Sequence, residues 1–485
     1  MVIFKLSRLF VLRIACLFLF VSLAGCKIFK PAKMPAALNV PAKFGSDSAS
    51  SSIGFTPRKQ FFSDTNLTKL LDSAIKNNFD VLRAMQRIQI ARATLFYNKR
   101  RFLPTISLNA TGAVENYGDY TMNGVGNYDS NLSPNLNSDQ KIPDPTPDFF
   151  LGLRSSWEIG IWGKYKNSKR AANAQFMASE KGRHLVITSL VADVANLYYD
   201  LLSLDNELAT IRKNMALQDS ALSTIQLLKE GAQANELAVK QFRSQLLNTK
   251  GLEIKLQQQI IETENILNLY LGRLPQEIKR GSPITKQDLP VNLSGGIPSE
   301  MLTRRPDIQQ AELRLEAAKF NVSVARASFL PSLNLLAYTG YNAFKLPLLF
   351  STPASLVYGA IAGLSAPIMN RSLIKTGYNI SVAEKLDAFY SYQQTIAIGF
   401  QEVTTHLNGI KNNQKLYSLK EQEVTNSQEA VDVSRILFRT GSASYLEVLT
   451  AQRVVLQSEL ELTYAKRDQF RSVIELYRSL GGGWE

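Results

Sequence analysis

The sequence predicts a mixed α and β membrane protein: long antiparallel helices joined to four short strands per chain, arranged as two copies of one unit. Three observations predict it. Residues 77–110 align without a gap onto 304–337, matching Asp80 with Asp307, Ala84 with Ala311, Arg87 with Arg314, Ala91 with Ala318, Leu108 with Leu335 and Phe102-Leu103-Pro104 with Phe329-Leu330-Pro331. Apolar residues recur at alternating spacings of four and three through stretches too long for a globular helix. Two further segments alternate in polarity, and two weaker ones are richer in Tyr, Ala and Gly, each over about the 9–11 residues a tilted membrane strand requires.

The elements follow in chain order. Residues 1–13 carry Lys5, Arg8 and Arg13 with no acidic residue, 14–23 is apolar, and Leu23-Ala24-Gly25-Cys26 closes the segment. A charged start, a short apolar run and a small-residue exit describe a secretory signal over 1–25. The run is shorter than the roughly 20 residues a spanning helix needs. Cys directly after Leu-Ala-Gly resembles the bacterial lipobox, which implies cleavage before Cys26 and its acylation, with an ordinary signal peptide and an incidental Cys as the alternative. In the lipoproteins it resembles, a non-Asp residue such as Lys27 behind the Cys permits sorting to the outer membrane. Residues 26–60, with Pro31, Pro35, Pro41, Pro57 and a Ser-rich stretch at 46–52, read as a lipid-anchored tether.

The first unit is expected over 61–290, with helices at 81–103, 164–229 and 232–271. The second spans 297–485, with helices at 307–330, 372–439 and 443–480. Leu190, Val194, Leu197, Leu201, Leu204, Leu208, Ile211 and Met215 mark a seven-residue repeat, the signature of helices packed in a left-handed coil. In the second long helix Gln414, Glu421 and Gln428 interrupt the corresponding seam. A helix over 164–229 extends about 100 Å, and 81–103 with 232–271 gives about 35 and 60 Å, so two shorter helices placed end to end match one long one. Periodicity alone is equally compatible with a water-soluble coiled coil.

Strands are expected at about 105–115 and 149–159 in the first unit, and at 332–341 and 357–368 in the second. The connector 115–148 is rich in Asn, Gly, Asp and Pro, as an exposed loop would be; 342–354 is its shorter counterpart. Four strands cannot close a barrel in lipid, where every backbone group must be paired. If they span a membrane the barrel is shared: two chains give eight strands, three give twelve.

The chain holds two Cys and two His, and Cys16 lies within the signal. That excludes an internal disulfide framework and a Cys-rich metal site from the processed chain. His184 and His406 each stand alone in helical sequence, which favours packing or surface roles over catalysis. No catalytic, cofactor or metal constellation is expected. The charge of +14 falls to +11 when Lys5, Arg8 and Arg13 leave with the signal, and the remaining Lys and Arg are scattered; no nucleic-acid partner is expected.

The chain resembles the TolC-type outer-membrane efflux channels, specifically their lipoprotein (NodT) branch. The resemblance is carried by LAGC (23–26), RRPDIQQAE (304–312), FLPS (329–332), FRTGSASYLEVLTAQR (438–453) and LYRSLGGGW (476–484), and covers 23–485. The first unit departs from it: Asn77-Asn78-Phe79-Asp80 stands where the second has Arg304-Arg305-Pro306-Asp307. The resemblance implies a homotrimer whose twelve strands form one barrel in outer-membrane lipid. A long helical barrel then crosses the periplasm to a periplasmic adaptor and an inner-membrane resistance-nodulation-division pump. The implied function is a passive duct for small molecules, not an enzyme and without a cofactor. A duct for type I protein secretion and a lipid-anchored periplasmic scaffold are the alternatives.

Such ducts narrow at the periplasmic tip through rings of side chains. Asp432, Arg435 and Arg439, with Val431 beside them, are the gate candidates. Gly231 and Gly441 fall at the expected helix turns, where glycine enters left-handed backbone most easily. The turns Lys229-Glu230-Gly231 and Arg439-Thr440-Gly441 are the expected adaptor contact.

Overall fold

A computed structural model describes residues 34–44, 52–289, 295–369 and 371–485. The signal and Cys26 lie outside the described residues, as do 27–33 and 45–51 of the tether. The elements run α1 (Thr65–Asn77), α2 (Phe79–Arg100), β1 (Thr105–Glu115), α3 (Met122–Asn131), β2 (Thr146–Ile159), α4 (Lys164–Glu230), α5 (Glu236–Tyr270), α6 (Pro298–Arg304), α7 (Pro306–Ala327), β3 (Ser332–Ala343), β4 (Leu356–Ser365), α8 (Arg371–Arg439) and α9 (Tyr445–Ser479). The protein is mostly helical, with one antiparallel sheet in the order β1-β2-β3-β4.

At 67 and 69 residues, α4 and α8 each extend about 100 Å. Helix α4 packs against α2, α5, α7 and α9, and α8 packs against α7 and α9. The seam residues Leu190, Val194, Leu201 and Ile211 are buried, and Gln218, Leu222 and Ile225 continue their spacing toward the tip. Gln414, Glu421 and Gln428 are exposed. Among the described residues α4 is the one helix long and apolar enough to cross a membrane, but 61% of its most apolar window is buried inside the protein. Its apolarity is spent on neighbouring helices.

Local chemistry sets the helix starts. Asp64 caps α1 by accepting from the Asn66 and Leu67 amides, and Asn78 caps α2 by accepting from Asp80 and Val81. Asn235 caps α5 through the Ala238 amide. Ser444 caps α9, with Glu447 reaching back to its amide in a capping box. Pro306 opens α7, where its missing N–H costs nothing.

The main apolar core lies midway along the helices, where Leu67, Leu71, Tyr198, Leu267, Ile308 and Tyr477 are buried together. Tyr199 stacks on Phe470 at 4.3 Å, and Phe61 on Tyr477 at 3.9 Å. The shorter helices meet end to end here. The Asn78 side-chain amide donates to the Tyr270 carbonyl at 2.9 Å, joining α2 to the end of α5. Arg305 donates to the Ser479 carbonyl at 2.8 Å, joining α7 to the end of α9. Gly272 and Gly481, both at positive φ, pack against the backbones of Asn77 and Arg304 in turn.

This joint brings the Arg-Arg-Pro-Asp motif against the C-terminal Leu-Gly-Gly-Gly-Trp. Arg305 is 5% exposed and grips Asp307 with two nitrogens at 3.0 and 2.7 Å. It also reaches Glu402 in α8 at 2.7 Å, and Arg478 contacts the same carboxylate at 3.1 Å. Burial works against the Arg305 charge, but Asp307 and Glu402 outweigh it and hold its pKa above the ordinary guanidinium value. Arg304 lies over the rings of Phe55 and Trp484 and pairs with Glu485 at 3.1 Å.

Candidate functional site

Two regions can serve a duct: the sheet and the hairpin tips. The sheet register sorts its side chains. Leu108 faces Leu153, Leu153 faces Thr339, and Thr339 faces Tyr358, so these four share one face. No position on that face is charged, and Ile106, Leu108, Val114, Leu153, Tyr358 and Leu364 are exposed there. The opposite row runs Ser107, Arg154, Tyr338, Gly359. All charged strand residues, Glu115, Asp148, Arg154 and Glu158, stand on this second face. An uncharged apolar face suits lipid; a mixed polar face with charges suits a water-filled lumen. Among the described residues, one side of β1 and one side of β4 have no strand partner.

At the other end, α4–α5 and α8–α9 form two hairpins flanking a cleft of about 1220 Å³. Arg435, Arg439, Thr440 and Gly441 line it, opposite Ala232, Leu228 and Phe242. Gly441 takes φ +75° and Ser442 donates to the Leu437 carbonyl at 2.8 Å. In the first hairpin the expectation is corrected. Gly231 has φ −83°, and Ala232 takes the left-handed turn at φ +58°, with Gln233 donating to the Leu228 carbonyl at 2.8 Å. Helix α4 runs through Glu230, so the closing turn falls one residue later, and Ala232 rather than Gly231 is the counterpart of Gly441.

Lys229 pairs with Glu236 at 2.5 Å across the first turn, which lowers the Glu236 pKa; Glu230 is exposed. Asp432 and Arg435 lie one turn apart on α8, 3.7 Å from each other. Val431 is buried, and with Asp432 and Arg435 it lines a smaller cleft of about 250 Å³ beside Gln218, Gln452 and Glu459. The structure thus brings Val431, Asp432 and Arg435 together, while Lys229 and Glu230 stand apart from both clefts.

Sequence reasoning missed the polar layer beneath these residues. Glu459 accepts from Lys213 at 3.2 Å, Gln428 at 2.9 Å and Asn214 at 2.9 Å. Among the described residues, Gln218 and Gln452, 2% and 5% exposed, find no partner for either amide atom. The available signal was Gln218 itself, a polar residue on the apolar seam of α4. His184 stacks on Trp484 at 4.4 Å; burial lowers its pKa, and Lys181 and Arg183 lower it further. His406 is half-buried in α8, its pKa likewise lowered by burial.

A sheet with one lipid-compatible face, carried on helices about 100 Å long, defines an outer-membrane duct. Comparison with known proteins agrees. The chain belongs to the outer membrane efflux protein family, which matches residues 70–273 and 297–482. The pyoverdine export outer membrane protein OpmQ of Pseudomonas putida is 28% identical over 466 residues, 96% of each chain. The cation efflux system protein CusC of Escherichia coli O6:H1 is 28% identical over 475 residues, 96% of this chain and 97% of that one. A crystal structure of a membrane protein from Pseudomonas aeruginosa shares the fold with a TM-score of 0.83 at 24% identity, covering 95% of this chain and 98% of that one. The protein is the outer-membrane channel component of a tripartite efflux system.

Proposed function

We propose that three copies assemble into a passive duct that receives small molecules from an inner-membrane pump of the resistance-nodulation-division type, through a periplasmic adaptor. An acyl chain on Cys26 anchors each copy, and the chain does no catalysis. The observation that carries this reading is the four-stranded sheet with one uncharged face and two open edges. Open edges are not tolerated in lipid, so β1 of one copy pairs with β4 of the next. The number three follows from the family resemblance.

The chain is read as a doubled unit, over 61–290 and 297–485, behind a signal and tether at 1–60. Support comes from the matching end-to-end joints, Asn78 to Tyr270 and Arg305 to Ser479. The gate is assigned to Asp432, Arg435 and Arg439 with Val431, because in a ring one charge acts several times. The turns Lys229-Glu230-Gly231 and Arg439-Thr440-Gly441 are assigned to adaptor contact. Purified protein in planar bilayers tests the reading: discrete conductance steps are expected, with altered amplitude or open time for Asp432→Ala. A monomer in detergent that never conducts would sink it.

A further inference from the structure

The duct reading assigns no selectivity to the membrane sheet, yet one residue there is placed to supply it. Arg154 is exposed on the charged face of β2, five residues before the strand ends at Ile159. Its guanidinium lies 4.8 Å over the Phe150 ring, and Phe150 meets Tyr338 edge-on at 6.4 Å. This aromatic bed lays the cation back along β2 without neutralising it. Among the described residues Arg154 has no ion pair and no side-chain hydrogen bond. Its cross-strand row, Ser107, Tyr338 and Gly359, contains no carboxylate.

The remaining charges on this face are far along the sheet or already matched. Glu115 stands at the strand end, paired in register with Thr146, and accepts from the Tyr117 hydroxyl. Glu158 stands four residues along β2, about 13 Å at 3.3 Å per residue, and is occupied by Lys164 at 2.9 Å. Asp148 stands six residues the other way, about 20 Å, and accepts from Asn342 at 2.6 Å. These are spacings along the backbone; the guanidinium itself leans back over the Phe150 ring, away from Glu158. Arg154 is the one charged residue in its cross-strand row.

We propose that Arg154 is the charge-selecting residue of the barrel, repeated in each copy as a cationic ring through which anionic cargo passes more readily than cationic cargo. This rests on the reading that the sheet closes around a lumen with further copies. A ring of like charges acts on every ion that crosses it, and its reach grows as salt is lowered.

Reversal potentials across a KCl gradient in planar bilayers test it. For the unmodified protein the chloride-to-potassium permeability ratio rises as the bath goes from about 1 M to about 0.1 M salt, because the Debye length grows from about 3 to about 10 Å. In Arg154→Gln the ratio falls toward one at the lower salt, in Arg154→Glu it falls further, and Arg154→Lys keeps it. Conducting Arg154→Gln and Arg154→Glu channels with the unmodified ratio would overturn the assignment and leave the duct reading standing. Loss of all conductance in the unmodified protein would instead strike the duct reading.

Discussion

Arg305 reaches Glu402 at 2.7 Å, joining the start of α7 to the middle of α8 across 97 residues of chain. Both groups are largely buried, and Arg478 holds the other oxygen of the same carboxylate at 3.1 Å. Removing the guanidinium leaves Asp307 without its ion pair and Glu402 with Arg478 alone, so Arg305→Met is expected to cost about 3 kcal/mol. The pairing also sets an acid limit. Burial raises the Glu402 carboxyl, but Arg305 and Arg478 outweigh it and leave its pKa below the ordinary glutamate value. A carboxylate with a depressed folded pKa contributes stability above its unfolded value and loses that contribution as pH falls through the folded one. Thermal midpoints in detergent should therefore drop more steeply between about pH 5 and pH 3 in the unmodified protein than in Glu402→Gln. Parallel curves would show that the pair does not set the acid limit.

The two faces of the sheet make opposite predictions for neighbouring residues. Leu108 stands on the uncharged face and Asn109 on the face with Arg154. Leu108→Arg is expected to cost about 2–4 kcal/mol if its level lies near the bilayer midplane, and Asn109→Arg less than about 1 kcal/mol. The fraction of folded, heat-modifiable protein recovered in outer membranes reports both. Equal tolerance at the two positions would contradict the assignment of lipid and lumen faces.

How far the sequence is legible depends on the range of each interaction. The strands and long helices announce themselves because alternation and the seven-residue repeat are local patterns with a physical cause. Helix α1 escapes a sequence reading although Asp64 caps it and Leu67, Leu71 and Ala74 line one face; three turns give too short a pattern beside its long neighbours. Helix α3 hides in Asn- and Gly-rich sequence of weak helical preference, where Thr121 caps it and Asn131 exchanges two hydrogen bonds with Ile142. Arg305 is visible as a motif, but its partner Ser479, 174 residues on, is not. At the tip, aligning Gly231 with Gly441 places the candidate turn one residue early, because glycine identity does not by itself mark the left-handed position.

The polar layer between the hairpins yields a stability prediction. Gln218 on α4 and Gln452 on α9 carry four buried amide atoms without partners among the described residues. They lie between one apolar cluster around Ile211, Leu256 and Leu456 and another around Leu222, Ile225 and Phe242. A buried, unsatisfied polar group costs about 1–3 kcal/mol, so Gln218→Met and Gln452→Met, near in volume, are each expected to raise stability by about 1 kcal/mol or more. Urea or thermal midpoints in detergent measure this. Destabilisation by both would show that the amides find partners in the assembled protein.

The tip turns distinguish backbone conformation from residue identity. Ala232 holds φ +58°, where a side chain costs about 1 kcal/mol that glycine avoids. Ala232→Gly is therefore expected to stabilise the first turn by about that amount. Gly441, at φ +75°, has open space where a Cβ would stand, so Gly441→Ala should destabilise the second turn by a similar amount through backbone strain alone. Gly231 lies at φ −83°, and the nearest atom to its would-be Cβ is 3.7 Å away. Gly231→Ala should thus be neutral or slightly stabilising, since alanine is the better helix former. Amide hydrogen exchange in the last turns of α4 and α8 reads each change locally, as slower exchange for Ala232→Gly and faster for Gly441→Ala. Faster exchange in Gly231→Ala would return the left-handed position to Gly231 and remove the one-residue offset between the two hairpins.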